Sequence, residues 1–198
     1  GTGLLWFGWF GFNSGGALRA GALSTKAFTN TAIGLASGMI VWILYAKFVR
    51  GKVDFIDVLT GSVAGLATIT PCAGYINPAA AVLVGLAAGI ICNVAVSLQE
   101  KIGWDDALGV WGVHGIGGFT GTILIGILAD RTVNGIGASG HQFLIQAGGV
   151  ILVAAYSFAI TFILLKILGA ITNIRPSDKI IQEGLDQTLL NETTYDID

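Results

Sequence analysis

Charge is what this 198-residue sequence has least of: Asp, Glu, Lys and Arg together make up 11% of it, where a soluble domain carries about a quarter. So few charged side chains exclude an ordinary water-facing shell. The two cysteines, Cys72 and Cys92, exclude a disulfide framework, since one falls in a predicted outer turn and the other inside a predicted span. Neither has metal-ligand spacing, and no metal or other cofactor is expected. A cleavable leader is also missing from view: the chain opens without Met and without a basic stretch ahead of its first apolar run. Because Gly1 directly begins such a run, the sequence reads as a piece of a longer protein.

Apolar residues are what it has in abundance. They make up 54% of the chain, the mean hydropathy is +0.77, and there are 30 glycines. Crossing a hydrocarbon core of about 30 Å takes roughly 20 apolar residues in a helix. Six segments qualify, near 2–22, 27–49, 55–73, 76–98, 108–129 and 143–170. The third and fourth meet at Pro71-Cys72-Ala73-Gly74-Tyr75, a turn by its Pro and Gly. The expected fold class is therefore an all-α polytopic membrane protein, with a membrane domain over 1–172 and a tail over 173–198.

The net charge of −2 is less informative than where the charges fall. Lys47, Arg50, Lys52, Lys101, Lys166, Arg175 and Lys179 follow even-numbered spans, leaving Arg19, Lys26 and Arg131 for the other side. By the positive-inside rule both ends of the segment face the cytoplasm, as expected of a multi-pass protein of the cell membrane. Beyond about residue 172, Ile174-Arg175-Pro176-Ser177-Asp178 stops the last helix. The acidic remainder reads as a cytoplasmic tail, solvated or docked.

Small residues recur at four-residue steps in each of the first five spans: Gly11/Gly15, Gly34/Gly38, Gly61/Gly65, Gly85/Gly89 and Gly117/Gly121. Such steps let helix backbones approach closely where lipid gives no hydrophobic drive for association. Packing, rather than ligand binding, is their expected role.

Against this apolar background His114 stands out, in Trp111-Gly112-Val113-His114-Gly115-Ile116-Gly117-Gly118. An ionisable ring in a membrane span is costly, hence a functional candidate. It lies eight residues beyond Asp106, about 12 Å along a helix rising 1.5 Å per residue, which places it near mid-membrane. The i, i+4, i+7 rule puts His114, Gly118 and Gly121 on one face. Either another helix packs on that bare face, or a narrow path runs past it. A neutral imidazole suits a path because it both donates and accepts hydrogen bonds and exchanges protons near neutral pH.

Trp6-Phe7-Gly8-Trp9-Phe10-Gly11-Phe12-Asn13-Ser14 supplies a second candidate. Trp9 and Phe12 fall one turn apart on one side, where aromatic faces attract a small cation, plug a pore, anchor at an interface or simply pack. Asn13 in mid-span needs a partner or a cavity.

Three of these motifs carry a resemblance. Trp9-Phe10-Gly11-Phe12-Asn13, Thr70-Pro71-Cys72-Ala73-Gly74-Tyr75-Ile76, and Asp105-Asp106 leading to Gly112-Val113-His114-Gly115 resemble the ammonium transporter family (Amt/MEP/Rh), Amt branch, in order and spacing. The resemblance covers essentially the whole chain and implies the last six of the family's eleven membrane helices plus its tail. It implies ammonium or ammonia as substrate, with methylammonium as an analogue, conducted through a hydrophobic pore. His114 would be the second of two paired pore histidines, Phe12 an aromatic closing the outer end, and Trp9 a pore-side aromatic. Asn13, Ser14 and Thr70 would border the vestibule. The first histidine belongs to helices outside this sequence, and His141, placed in an outer loop, cannot replace it.

Two positions depart from the family pattern: Gly16 stands where many members have a vestibule serine, and Gly109 where an acid is frequent. Ser14, the nearest hydroxyl, is rotated about 200° from Gly16 on a helix. In the tail, Gly184-Leu185-Asp186 and Tyr195 match family elements, although Leu190 and Asn191 replace the usual His-Gly. That likeness implies a homotrimer whose tail responds to a PII-type signalling protein. Two other readings are weaker. Asn77-Pro78-Ala79 imitates half of an aquaporin's paired box, but no second box exists. Gly137-Ala138-Ser139-Gly140 imitates a serine-protease motif, but in a loop, out of reach of a histidine on a helix. No enzymatic activity is expected.

Overall fold

The computed structural model describes residues 1–193, and among these every regular element is helical. Six longer helices occupy the six predicted segments. They are α1 (Thr2–Gly15), α2 (Ala22–Tyr45, continued by a π-helical turn Ala46–Arg50), α3 (Phe55–Ile69), α4 (Pro78–Ile102), α5 (Gly117–Leu128, preceded by a π-helical segment Trp111–Ile116) and α7 (Gly140–Ile171). The short α6 (Arg131–Asn134) and α8 (Asp178–Glu183) lie in connecting stretches.

Four of these helical runs, Ala22–Arg50, Pro78–Ile102, Trp111–Leu128 and Gly140–Ile171, are long and apolar enough to cross a membrane. α1 has 14 residues and α3 has 15, short of the roughly 20 that a perpendicular span requires. α1 stops because the Gly15-Gly16 pair leads into Leu18, whose φ of 56° leaves helical space. α3 ends with Thr70 as its cap, still in helical geometry, because Pro71 has no amide hydrogen with which to continue the ladder.

The chain divides into two compact units, Gly1–Ile151 and the stretch from Leu152 onward. The division falls inside α7, which has no buried residue.

Within the first unit, α2, α3 and α4 form the core. A methyl group on Gly65 would lie 2.6 Å from the Gly34 carbonyl oxygen and 2.8 Å from Leu35 Cα. Only glycine allows that approach, and the small-residue steps of α2, α3 and α4 serve packing as predicted. Gly11 and Gly15 differ, each facing open space.

Asn30, with no exposed surface, closes the α3–α4 turn by donating to the carbonyls of Ala73 (2.9 Å) and Ile76 (2.7 Å). Asn77 caps α4 by accepting from the Ala80 amide (3.0 Å), with Pro78 in the first turn. The free cysteines Cys72 and Cys92 are both buried, and Cys72 donates through Sγ to the Gly121 carbonyl (2.9 Å).

In the second unit, α8 is capped by Ser177 and ends at Gly184, with φ 97°. Leu185 is partly exposed, and Asp186 begins a π-helical turn through Leu190. Tyr195 lies outside the described residues.

Candidate functional site

His114 sits inside the π-helical segment Trp111–Ile116 rather than on a regular α-helix. A π turn holds an extra residue, so it shifts the faces of everything after it. The face predicted for His114, Gly118 and Gly121 is split. Gly118 meets open space, whereas Gly121 packs against the Thr68 carbonyl and Pro71. Gly117 has turned inward as well: a methyl there would lie 2.8 Å from Thr68 Oγ1 and 3.2 Å from Cys92 Sγ. His114 itself remains exposed, beside the buried Val113.

The segment is held at its start by Asp106. Its carboxylate accepts from the Trp111 amide (2.8 Å) and the Val110 amide (2.9 Å). These bonds, the Trp111 amide first, hold the carboxyl below the usual aspartate value, with burial opposing. Gln99 adds a bond from Nε2 to the Asp106 carbonyl (3.1 Å). Trp104 and Trp111 meet edge to face, with centroids 5.2 Å apart.

Trp9 comes to His114 from α1. The two rings are stacked, with centroids 6.1 Å apart and planes inclined by 17°. Phe12 meets Trp9 edge to face at 6.3 Å and 88°. Trp9 also donates from Nε1 to Thr70 Oγ1 (2.7 Å). Thus Trp9, Phe12, Thr70 and His114 form one chain of contacts across three segments. Gly1, Leu4, Leu5, Gly8, Trp9 and Phe12 line an apolar groove of ≈ 570 Å³.

The other singled-out residues lie nearby on α1. Asn13 finds the partner its position demanded, donating from Nδ2 to Thr31 Oγ1 (2.9 Å), which in turn donates to the Ala27 carbonyl (2.7 Å). Ser14 Oγ is buried and without a hydrogen-bond partner among the described residues.

Two participants escaped the sequence. Thr31 is fully buried, and its only signal was a hydroxyl in the middle of an apolar span. Trp42 packs with Ala64, Ala67, Cys92 and Val113 behind the His114 segment, and Trp9 packs on the same cluster. Its Nε1 donates to Asp57 Oδ1 (3.2 Å), a carboxylate that also pairs with Arg50.

The model of the Ammonium Transporter Family matches residues 1–195. The chain belongs to the ammonium transporter family. A putative ammonium transporter of Methanothermobacter thermautotrophicus is 43% identical over 203 residues, a match covering 98% of this chain and 50% of the relative. Mep2 of Candida albicans superposes with a TM-score of 0.83 at 36% identity, covering 90% of this chain and 42% of that one. A structure described as a sensor Amt protein superposes with a TM-score of 0.88 at 30% identity, covering 97% of this chain and 48% of that one. The chain spans about half the length of the curated relatives it matches.

Membership in a transporter family disposes of the weaker readings, and local geometry explains the motifs behind them. Asn77-Pro78 is a helix cap whose Nδ2 donates to Asp130 Oδ2 (3.1 Å). Ser139 Oγ accepts from the Gln142 amide (3.0 Å) at the start of α7. His141 lies in the first turn of that helix rather than in the predicted loop. One family departure also has a backbone reason: Gly109 has φ 62°, a conformation in which an acidic residue would be strained.

Proposed function

We propose that this chain supplies one half of an ammonium-conducting pore in a longer transporter of the cell membrane. Ammonium sheds its water at the outer side and gives up its proton, to water or to the imidazole of the path, before or within the apolar channel. It then passes as ammonia along an apolar path bordered by Trp9 and His114, with Phe12 at the outer end and Asn13, Ser14 and Thr70 around the vestibule. The stacking of Trp9 on an exposed imidazole, the one ionisable side chain of its helical run Trp111–Leu128, is the observation that supports this most. The ring can accept a proton or hold a small polar molecule without adding a fixed charge. Potassium is excluded because a metal cation has no proton to shed and would bear the full desolvation cost of an ion in a dry path.

The path also needs a second wall, including the partner histidine implied by the resemblance. The relatives are about twice as long as this chain, which supports that wall coming from another part of the transporter. Both ends of the segment lie in the cytoplasm on this reading. The complete protein is a homotrimer, and the tail around Gly184, Leu185, Asp186 and Tyr195 responds to a PII-type protein. Growth on limiting ammonium tests the pore: a host lacking its own ammonium uptake is expected to grow with the native full-length transporter and to fail with His114→Ala. Equal growth with both, at equal membrane abundance, would refute the assignment.

A further inference from the structure

We infer that Thr70 is a positioning residue, which fixes the Trp9 indole against the His114 imidazole through a hydroxyl of set direction. The inference rests on the pore reading above. Thr70 Oγ1 donates its proton to the Leu66 carbonyl (2.7 Å), leaving its lone pairs to accept. One of them receives the Trp9 Nε1 proton at 2.7 Å. The hydroxyl therefore cannot rotate to suit the indole; the indole must turn to suit the hydroxyl. A ring held at its N–H edge has one remaining freedom, and the stack on His114 removes it.

The anchor is firm where the aromatic is not. α1 contains no fully buried residue, and Trp9, packed half-buried on the cluster of Trp42 and Val113, owes its orientation to the hydrogen bond and the stack. Thr70 caps α3 two residues after Thr68, and that stretch is keyed to the His114 helix. Thr68 lies so close to Gly117 that a single methyl would come within 2.8 Å of its Oγ1, and Pro71 packs on Gly121 at a similar distance. Thr70 consequently moves with His114, and it carries Trp9 along. Its hydroxyl is also dispensable to α3 itself, because the Thr70 amide already donates to the Leu66 carbonyl (3.2 Å). Removing the hydroxyl leaves the indole N–H as the group without a partner.

The test is a double-mutant cycle on the full-length transporter in proteoliposomes, reading labelled methylammonium uptake. Thr70→Val is expected to reduce uptake about tenfold and Thr70→Ser to restore it to within about twofold. In a Trp9→Phe background Thr70→Val is expected to add less than about twofold, because the group it positions has gone. Equal losses in the two backgrounds would mean that Thr70 meets the substrate or supports the fold directly, and would overturn the inference; so would native uptake by Thr70→Val. With 5-fluorotryptophan, the Trp9 resonance is expected to move in Thr70→Val and return in Thr70→Ser, and a stationary resonance would count against the positioning role. Should Thr70→Val fail to reach the membrane, Thr70→Ala replaces it with the same expectations. Native uptake by both Trp9→Phe and His114→Ala would instead sink the pore reading itself.

Discussion

Where a buried polar side chain in this apolar chain has partners, its removal should be felt according to how many it serves. Asn30 is the clearest case: one amide nitrogen satisfies two carbonyls of the α3–α4 turn. Asn30→Ala is expected to lower the unfolding free energy by about 2 kcal/mol, the loss of two net hydrogen bonds, measured by denaturant titration in detergent. Native stability would show that other groups close the turn. Asp106 works at the surface instead. Its carboxyl titrates below the ordinary aspartate value of 3.8 because the Trp111 amide, then the Val110 amide, bind the charged form. A depressed folded value contributes stability that is fully present above 3.8 and lost as pH falls through the folded value. Protection of the Val110 and Trp111 amides, corrected for intrinsic exchange, is expected to decline over that acidic window and to be low at neutral pH in Asp106→Ala. Protection unchanged by either treatment would remove Asp106 from its role.

Among the elements, the glycine-stepped helices are the most sensitive to added volume. Gly65→Ala would drive a methyl to 2.6 Å from the Gly34 carbonyl and 2.8 Å from Leu35 Cα, both backbone atoms that cannot rotate away. A loss of about 2 kcal/mol is expected from such overpacking, read as a fall in thermal stability. A melt unchanged from native would mean that α2 and α3 separate freely. These steps were legible in the sequence, as were all six helical segments, because spacing along one helix is a local property. The π turn at Trp111–Ile116 was not legible. Apolar residues and glycine fill both 3.6-residue and wider turns equally well, so nothing in their order betrayed the extra residue. That one residue changes the register between His114 and the glycines of α5. The Trp9–Thr70 bond was similarly out of reach: both residues were singled out, yet they lie 61 positions apart, and only the packing of α1 beside the end of α3 joins them.

For the molecule as a whole, the proposed function makes an imidazole left exposed beside a stacked indole, with an apolar groove, one side of a path. The curated relatives, ammonium transporters, are about twice as long as this chain, and the proposed path is one half of such a pore. The account stands on His114 lying on that path, and labelled methylammonium uptake by the full-length transporter in proteoliposomes tests this most directly. Native protein is expected to take up methylammonium with potassium in excess, and His114→Ala to take up at least about tenfold less at equal reconstitution. Equal, equally selective uptake by the two proteins would contradict it.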